Sequence, residues 1–157
     1  MKEHFLRKLA EIEKRNAAGA DDAERLAHIK ARRDREAFEK LSLHLDAVAR
    51  PAFEAFAEAL AERSITAKLR FEAGMPERAQ ELPPLAEVIV TRPGGSRHYA
   101  LSYLLDGASY VMRLSLGGQQ ERRAILPQAR LTATRVRGDL EVLLEAVLTP
   151  ESVVRKP

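Results

Sequence analysis

The sequence predicts an α+β fold: an N-terminal helical hairpin or arm of two to three helices, an antiparallel sheet of about five strands, and a C-terminal amphipathic helix. Three observations predict it. Apolar residues recur every three or four positions over the first sixty residues, the signature of helix. From Ser64 onward apolar and polar residues alternate, the signature of a half-buried strand. Between two such alternating runs stands Asp106-Gly107, a hairpin-turn pair.

In the first helix, over 2–17, Phe5, Leu9 and Ile12 stand four and three apart. Gly19 is placed as a helix stop, and Asp21 or Asp22 as the cap of a second helix running to Arg50. Pro51 is suited to the first turn of a third helix, ending near Glu62. At 1.5 Å per residue the stretch 21–50 alone would span roughly 45 Å, against a radius of gyration near ~15 Å for a chain of this size. A rod of that length needs a neighbour. The expected organisation is therefore a helical association region over 1–63, followed by sheet and C-terminal helix over 64–157.

Ile65, Ala67, Leu69 and Phe71 mark the first strand, and Glu87–Thr91 the second, with a Pro- and Glu-rich loop over 74–84 between them. Folding the chain about Asp106-Gly107 would pair Tyr103 with Tyr110, Leu101 with Met112 and Tyr99 with Leu114, all on one face. Strands near 121–126 and 130–136 follow. Gly138-Asp139 reads as a helix start, because Leu140, Leu143, Leu144, Val147 and Leu148 then fall on one helical stripe. Thr149-Pro150-Glu151 would cap a last turn.

Hydrophobic residues make up 45% of the chain and charged residues 31%, a globular rather than disordered balance. There is no Cys, which excludes disulfides, a thiol nucleophile and Cys-based zinc sites. The charged start Met1–Lys8, with no apolar run of signal-peptide length behind it and no stretch of membrane-span length anywhere, points to a cytoplasmic protein. Arg- and Ala-rich composition points to a bacterial source.

Catalytic motifs are sparse. The four histidines (His4, His28, His44, His98) share no chelating spacing, so neither metal nor cofactor is expected. Ser96, two residues before His98, lies in the turn composition Pro93-Gly94-Gly95 rather than in a nucleophile elbow. Gly117-Gly118-Gln119 resembles the tripeptide of peptide-release factors over three residues only, where a hairpin needs its turn.

Charge is more informative. Lys30–Glu36 is charged at six of seven positions, a solvated helix or a basic one touching phosphates or an acidic partner. Residues 88–138 hold eight arginines against two acids, Asp106 and Glu121. Arg113, Arg122, Arg123, Arg130 and Arg135 are thus candidate anion-binding residues, suited to phosphate if they share a sheet face.

The function expected from the sequence is that of a non-enzymatic adaptor. It would form a homo-oligomer or dock a protein partner through the stripe Phe38, Leu41, Leu45, Val48, Phe53 and Phe56. The alternatives are nucleic-acid or polyanion binding through the arginines, and an enzyme whose site is scattered in sequence.

Overall fold

The order of elements is α1 (Lys2–Ala61), β1 (Thr66–Glu72), β2 (Leu85–Thr91), β3 (Tyr99–Asp106), β4 (Ser109–Leu116), β5 (Glu121–Pro127) and α2 (Ala133–Leu148) in a computed structural model that describes residues 1–118 and 121–149. The chain divides into two compact units, 1–37 and 38–157. Residues 38–61 of α1 belong to the second unit together with the sheet and α2.

Two to three helices were expected in the first sixty residues; there is one. Gly19 keeps helical dihedrals, since its φ is not among the positive ones, and the Asp22 carboxylate pairs with Arg25 at 3.4 Å instead of capping a new helix. Pro51 lies inside α1, where its missing N–H removes one rung of the ladder. The helix ends where Ser64 takes a left-handed φ of 59°. There the Ile65 N–H donates to the Leu60 carbonyl and the Ser64 N–H to that of Ala61, both at 3.0 Å, a Schellman arrangement that tucks Ile65 under the last turn.

The sheet is a five-stranded antiparallel meander in sequence order, β1 to β5. Its register differs from the one expected. Leu105 pairs with Tyr110, Tyr103 with Met112 and Leu101 with Leu114, so Gly107-Ala108, not Asp106-Gly107, form the two-residue turn. Gly107 supplies the positive φ (64°) at the first central position, as a type II′ turn requires. Each partner moves by two residues, which leaves every side chain on the face foreseen for it.

The stretch 130–136, expected as a strand, is a 3₁₀ turn over Gln128–Arg130 and the start of α2. Thr132 is the true cap. Its hydroxyl accepts the Arg135 N–H at 3.2 Å, so α2 begins one and a half turns before Gly138-Asp139. The expected last turn at 149–151 lies largely outside the described residues.

Among the described residues, helices cover one sheet face and no element covers the other. Leu41, Leu45, Ala49, Phe53, Phe56 and Leu60 of α1 and Val136, Leu140, Leu143 and Val147 of α2 are buried with Val88, Leu101, Tyr103, Tyr110, Met112 and Leu114 in one apolar core. Ile89, Leu104, Val111 and Ile125 alternate with these core positions and take no part in that core. No helix among the described residues is long and apolar enough to cross a membrane.

Candidate interaction surfaces

Two tyrosines on the covered face tie both helices to the sheet. Tyr103 is fully buried, and its hydroxyl donates to Asp139 Oδ2 of α2 at 2.5 Å; Arg135 Nε reaches the same oxygen at 3.0 Å. The Tyr110 hydroxyl donates to the carbonyl of Leu41 in α1 at 2.6 Å. His44 Nε2 donates to the Leu131 carbonyl at 2.8 Å, joining α1 to the segment that leads into α2. Among the described residues no buried side-chain polar atom lacks a partner. The cluster Tyr103–Asp139–Arg135 is thus a satisfied clamp.

Burial pushes Tyr110 up to about 12, and burial together with the Asp139 hydrogen bond carries Tyr103 well above its ordinary 10.0. A raised folded-state value means that the folded chain keeps protons which the unfolded chain releases above pH 10. Stability is therefore constant on this account below pH 10 and falls as the pH climbs toward 12. Each tyrosine adds a slope of about 1.4 kcal/mol per pH unit there. Urea titrations at pH 9, 10 and 11 are expected to show this loss, and Tyr110→Phe to lessen the slope by one tyrosine's share.

Beside the clamp, α1 and α2 leave a groove of about 600 Å³ lined by Val48, Ala52 and Phe56 on one side and Leu140 and Leu144 on the other, with Arg137 and Glu141 at its rim. This corrects the expected partner stripe. Leu41, Leu45, Phe53 and Phe56 are buried in the chain's own core, and Phe38 and Val48 are half-buried against it. The inner sheet face is broad enough to take both helices. It uses the side chains that the helical period had marked as surplus.

The first unit is different. Phe5, Leu6, Leu9 and Ile12 are 59%, 54%, 54% and 41% exposed. They fall within two turns, and positions 5, 9 and 12 line one face. Residues 30–36 are exposed throughout, as their charge implies.

The uncovered sheet face is also apolar in part. Leu85, Leu104, Val111 and Ile125 are cross-strand neighbours, and Ile125 is 74% exposed. Next to them runs the charged row Arg70, Glu87, Ser102, Arg113 and Arg123, and beyond it Lys68, Ile89, Ala100, Ser115 and Glu121. Arg70 reaches Glu72 at 3.4 Å and Glu87 at 4.0 Å, and Arg113 reaches Glu121 at 3.8 Å.

The candidate anion-binding arginines are divided. Arg113 and Arg123 share the outer face as direct neighbours, whereas Arg122 stands opposite Leu114 on the other face. Arg130 sits in the 3₁₀ turn before α2, and Arg135 is committed to Asp139. Carboxylates of Glu72, Glu87 and Glu121 are interleaved with the two that do share a face. No continuous basic surface results.

Ser96 and His98 are both exposed in the β2–β3 loop. Gly117 is required at its place, because a Cβ there would lie 2.5 Å from the Tyr99 ring at a φ of 85°; Gln119 lies outside the described residues. Among the described residues no three His, Cys, Asp or Glu side chains gather as metal ligands would. The chain matches no family model, and no curated protein or solved structure is significantly similar to it.

Proposed function

We propose that this chain is a non-enzymatic interaction protein that self-associates, or docks a helical protein partner, through the apolar stripe of its first unit. The observation that carries the reading is the exposure of Phe5, Leu6, Leu9 and Ile12 together on two turns of a helix. Large apolar side chains scattered singly on a surface need no partner, but four within eight residues form a patch that water disfavours. The charges around them, Lys2, Glu3, Arg7, Lys8, Glu11 and Glu13, are balanced in sign. A balanced flank suits pairing with another helix, by the logic that places mixed charges beside a coiled-coil seam. A polyanion would find little excess charge there.

Burying one such side chain contributes on the order of 2 kcal/mol. The triple change Phe5→Glu, Leu9→Glu and Ile12→Glu is therefore expected to weaken association by more than ~100-fold. Sedimentation equilibrium or light scattering at micromolar concentration reads the mass directly. The parent chain should exceed the variant in mass, or should retain a helical partner that the variant releases. Equal masses, with no partner distinguishing the two, would remove this reading.

A further inference from the structure

The outer face of the sheet carries a separate surface, independent of the first unit, and its occupant is specified by its charges. We infer that two copies of this chain stack face to face through the outer sides of their sheets, about a two-fold axis that runs parallel to the strands and passes over β3.

Antiparallel sheets that face water alternate apolar-in with polar-out. This one does not. The outward positions of β2, β3, β4 and β5 include Ile89, Leu104, Val111 and Ile125, and none of them belongs to the chain's core. Two sheets packed face to face lie about 10 Å apart with their strands nearly aligned, and an isologous dimer must match this surface to itself.

In-plane axes that keep the strands aligned run either parallel or perpendicular to them, and for axes passing over the charged row its charges separate the two. An axis perpendicular to the strands lays each strand over its own copy. Glu87 then meets Glu87 and Arg113 meets Arg113. The axis parallel to the strands exchanges β2 with β4 and β1 with β5 while β3 lies over itself. Glu87 of one copy then faces Arg113 of the other, and Lys68 faces Glu121, each twice by symmetry. At the centre Leu104 meets Leu104 and Ala100 meets Ala100. One like-charged match, Arg70 with Arg123, falls on the same outermost strands as the Lys68–Glu121 match and offsets it, which leaves the central Glu87–Arg113 pair to select this axis.

Five strands at ~4.8 Å and seven residues at ~3.3 Å give roughly 500 Å² per copy, about 1,000 Å² in all. That is the lower bound for a specific interface, so the dimer is a weak one, with a Kd on the order of micromolar. The edges do not compete for the role. Lys68 and Arg70 on β1, and Arg122, Arg123 and Pro127 on β5, discourage strand addition.

The cysteine-free chain allows a clean test. Leu104→Cys, at the axis, is expected to give a covalent dimer with a short bifunctional maleimide at micromolar concentration, and Leu43→Cys, on α1 and 71% exposed, is not. Added to Leu104→Cys, either Glu87→Arg or Arg113→Glu alone is expected to lower the yield roughly tenfold, and the two together to restore it, because the pair is exchanged intact. The two residues stand on strands separated by β3, so rescue reports a contact between copies. Coupling must also persist in the Phe5→Glu, Leu9→Glu, Ile12→Glu background, which separates it from the reading proposed for the first unit. Absence of coupling in Leu104→Cys, coupling as strong in Leu43→Cys, absence of rescue, or loss of coupling in that background would each overturn the proposal.

Discussion

Phe53→Ala is expected to destabilise the second unit by about 3–5 kcal/mol, the range for emptying a well-packed aromatic site. Phe53 is fully buried, with its ring centroid 5.9 Å from that of Phe71 on β1 and 6.2 Å from that of Tyr103 on β3. It is the point where α1 contacts two strands at once, so no single neighbour can move in to close the void. Arg50 lies over the other partner ring, 4.2 Å from the Phe71 centroid, and pairs with Asp46 at 2.7 Å. Loss of Phe53 thus loosens a surface contact as well. Thermal unfolding followed by circular dichroism should show a midpoint lowered on the order of 10 °C. Phe5→Ala provides the contrast. That ring is 59% exposed, and in chain diluted to the monomer its removal should leave the midpoint unchanged within about 1 °C. Comparable losses at the two positions would contradict the division into a packed and an open stretch of α1.

Asp139→Ala is expected to cost about 2–3 kcal/mol. The carboxylate accepts from both Tyr103 and Arg135, and its removal leaves a hydroxyl sealed in the core with nothing to donate to. Tyr103→Phe should cost less, about 1 kcal/mol, because Asp139 keeps Arg135. Once the hydroxyl is gone, Asp139→Ala orphans no buried donor. The double variant is therefore expected to be more stable than the sum of the single losses by at least about 1 kcal/mol, read by urea unfolding. Additive losses would show that the hydrogen bond contributes little. The same cycle bears on the chemistry of the chain, since a clamp that serves stability alone predicts these losses without change in any surface interaction.

The residues differ in how plainly their roles could be read beforehand. Tyr99, Leu101, Tyr103, Met112 and Leu114 were assigned to the covered face by alternation alone, and all lie there. Their partners were displaced by two. A two-residue slip preserves the alternation of period two, and Asp106-Gly107 and Gly107-Ala108 are both acceptable turns. Choosing between them rests on tertiary pairing along the whole strand. The start of α2 was misplaced for a related reason. Thr132 and Gly138-Asp139 both resemble helix starts, and the buried contacts of Val136 and Asp139 favour the earlier one.

The candidate surfaces were less legible still. Alternation alone places Leu104 and Val111 on the face opposite the tyrosines, but their rank in a row with Ile125 depends on β5 pairing with β4. The number of arginines is legible in the sequence; which of them share a sheet face is not. Composition records how many there are, while the parity of Arg122 and Arg123 puts neighbours in sequence on opposite faces.

α1 draws the boundary most clearly. Helical period alone establishes that Phe5, Leu9 and Ile12 form one stripe and that Phe38, Leu41, Leu45 and Val48 form another, since spacing of three and four dictates which side chains share a face. It cannot say which stripe is satisfied within the chain. Burial is a property of what lies opposite, and for residues 38–60 that is a sheet assembled from strands that begin at Thr66 and end at Pro127. The free energy of that contact resides in pairings remote along the sequence, which no local pattern encodes.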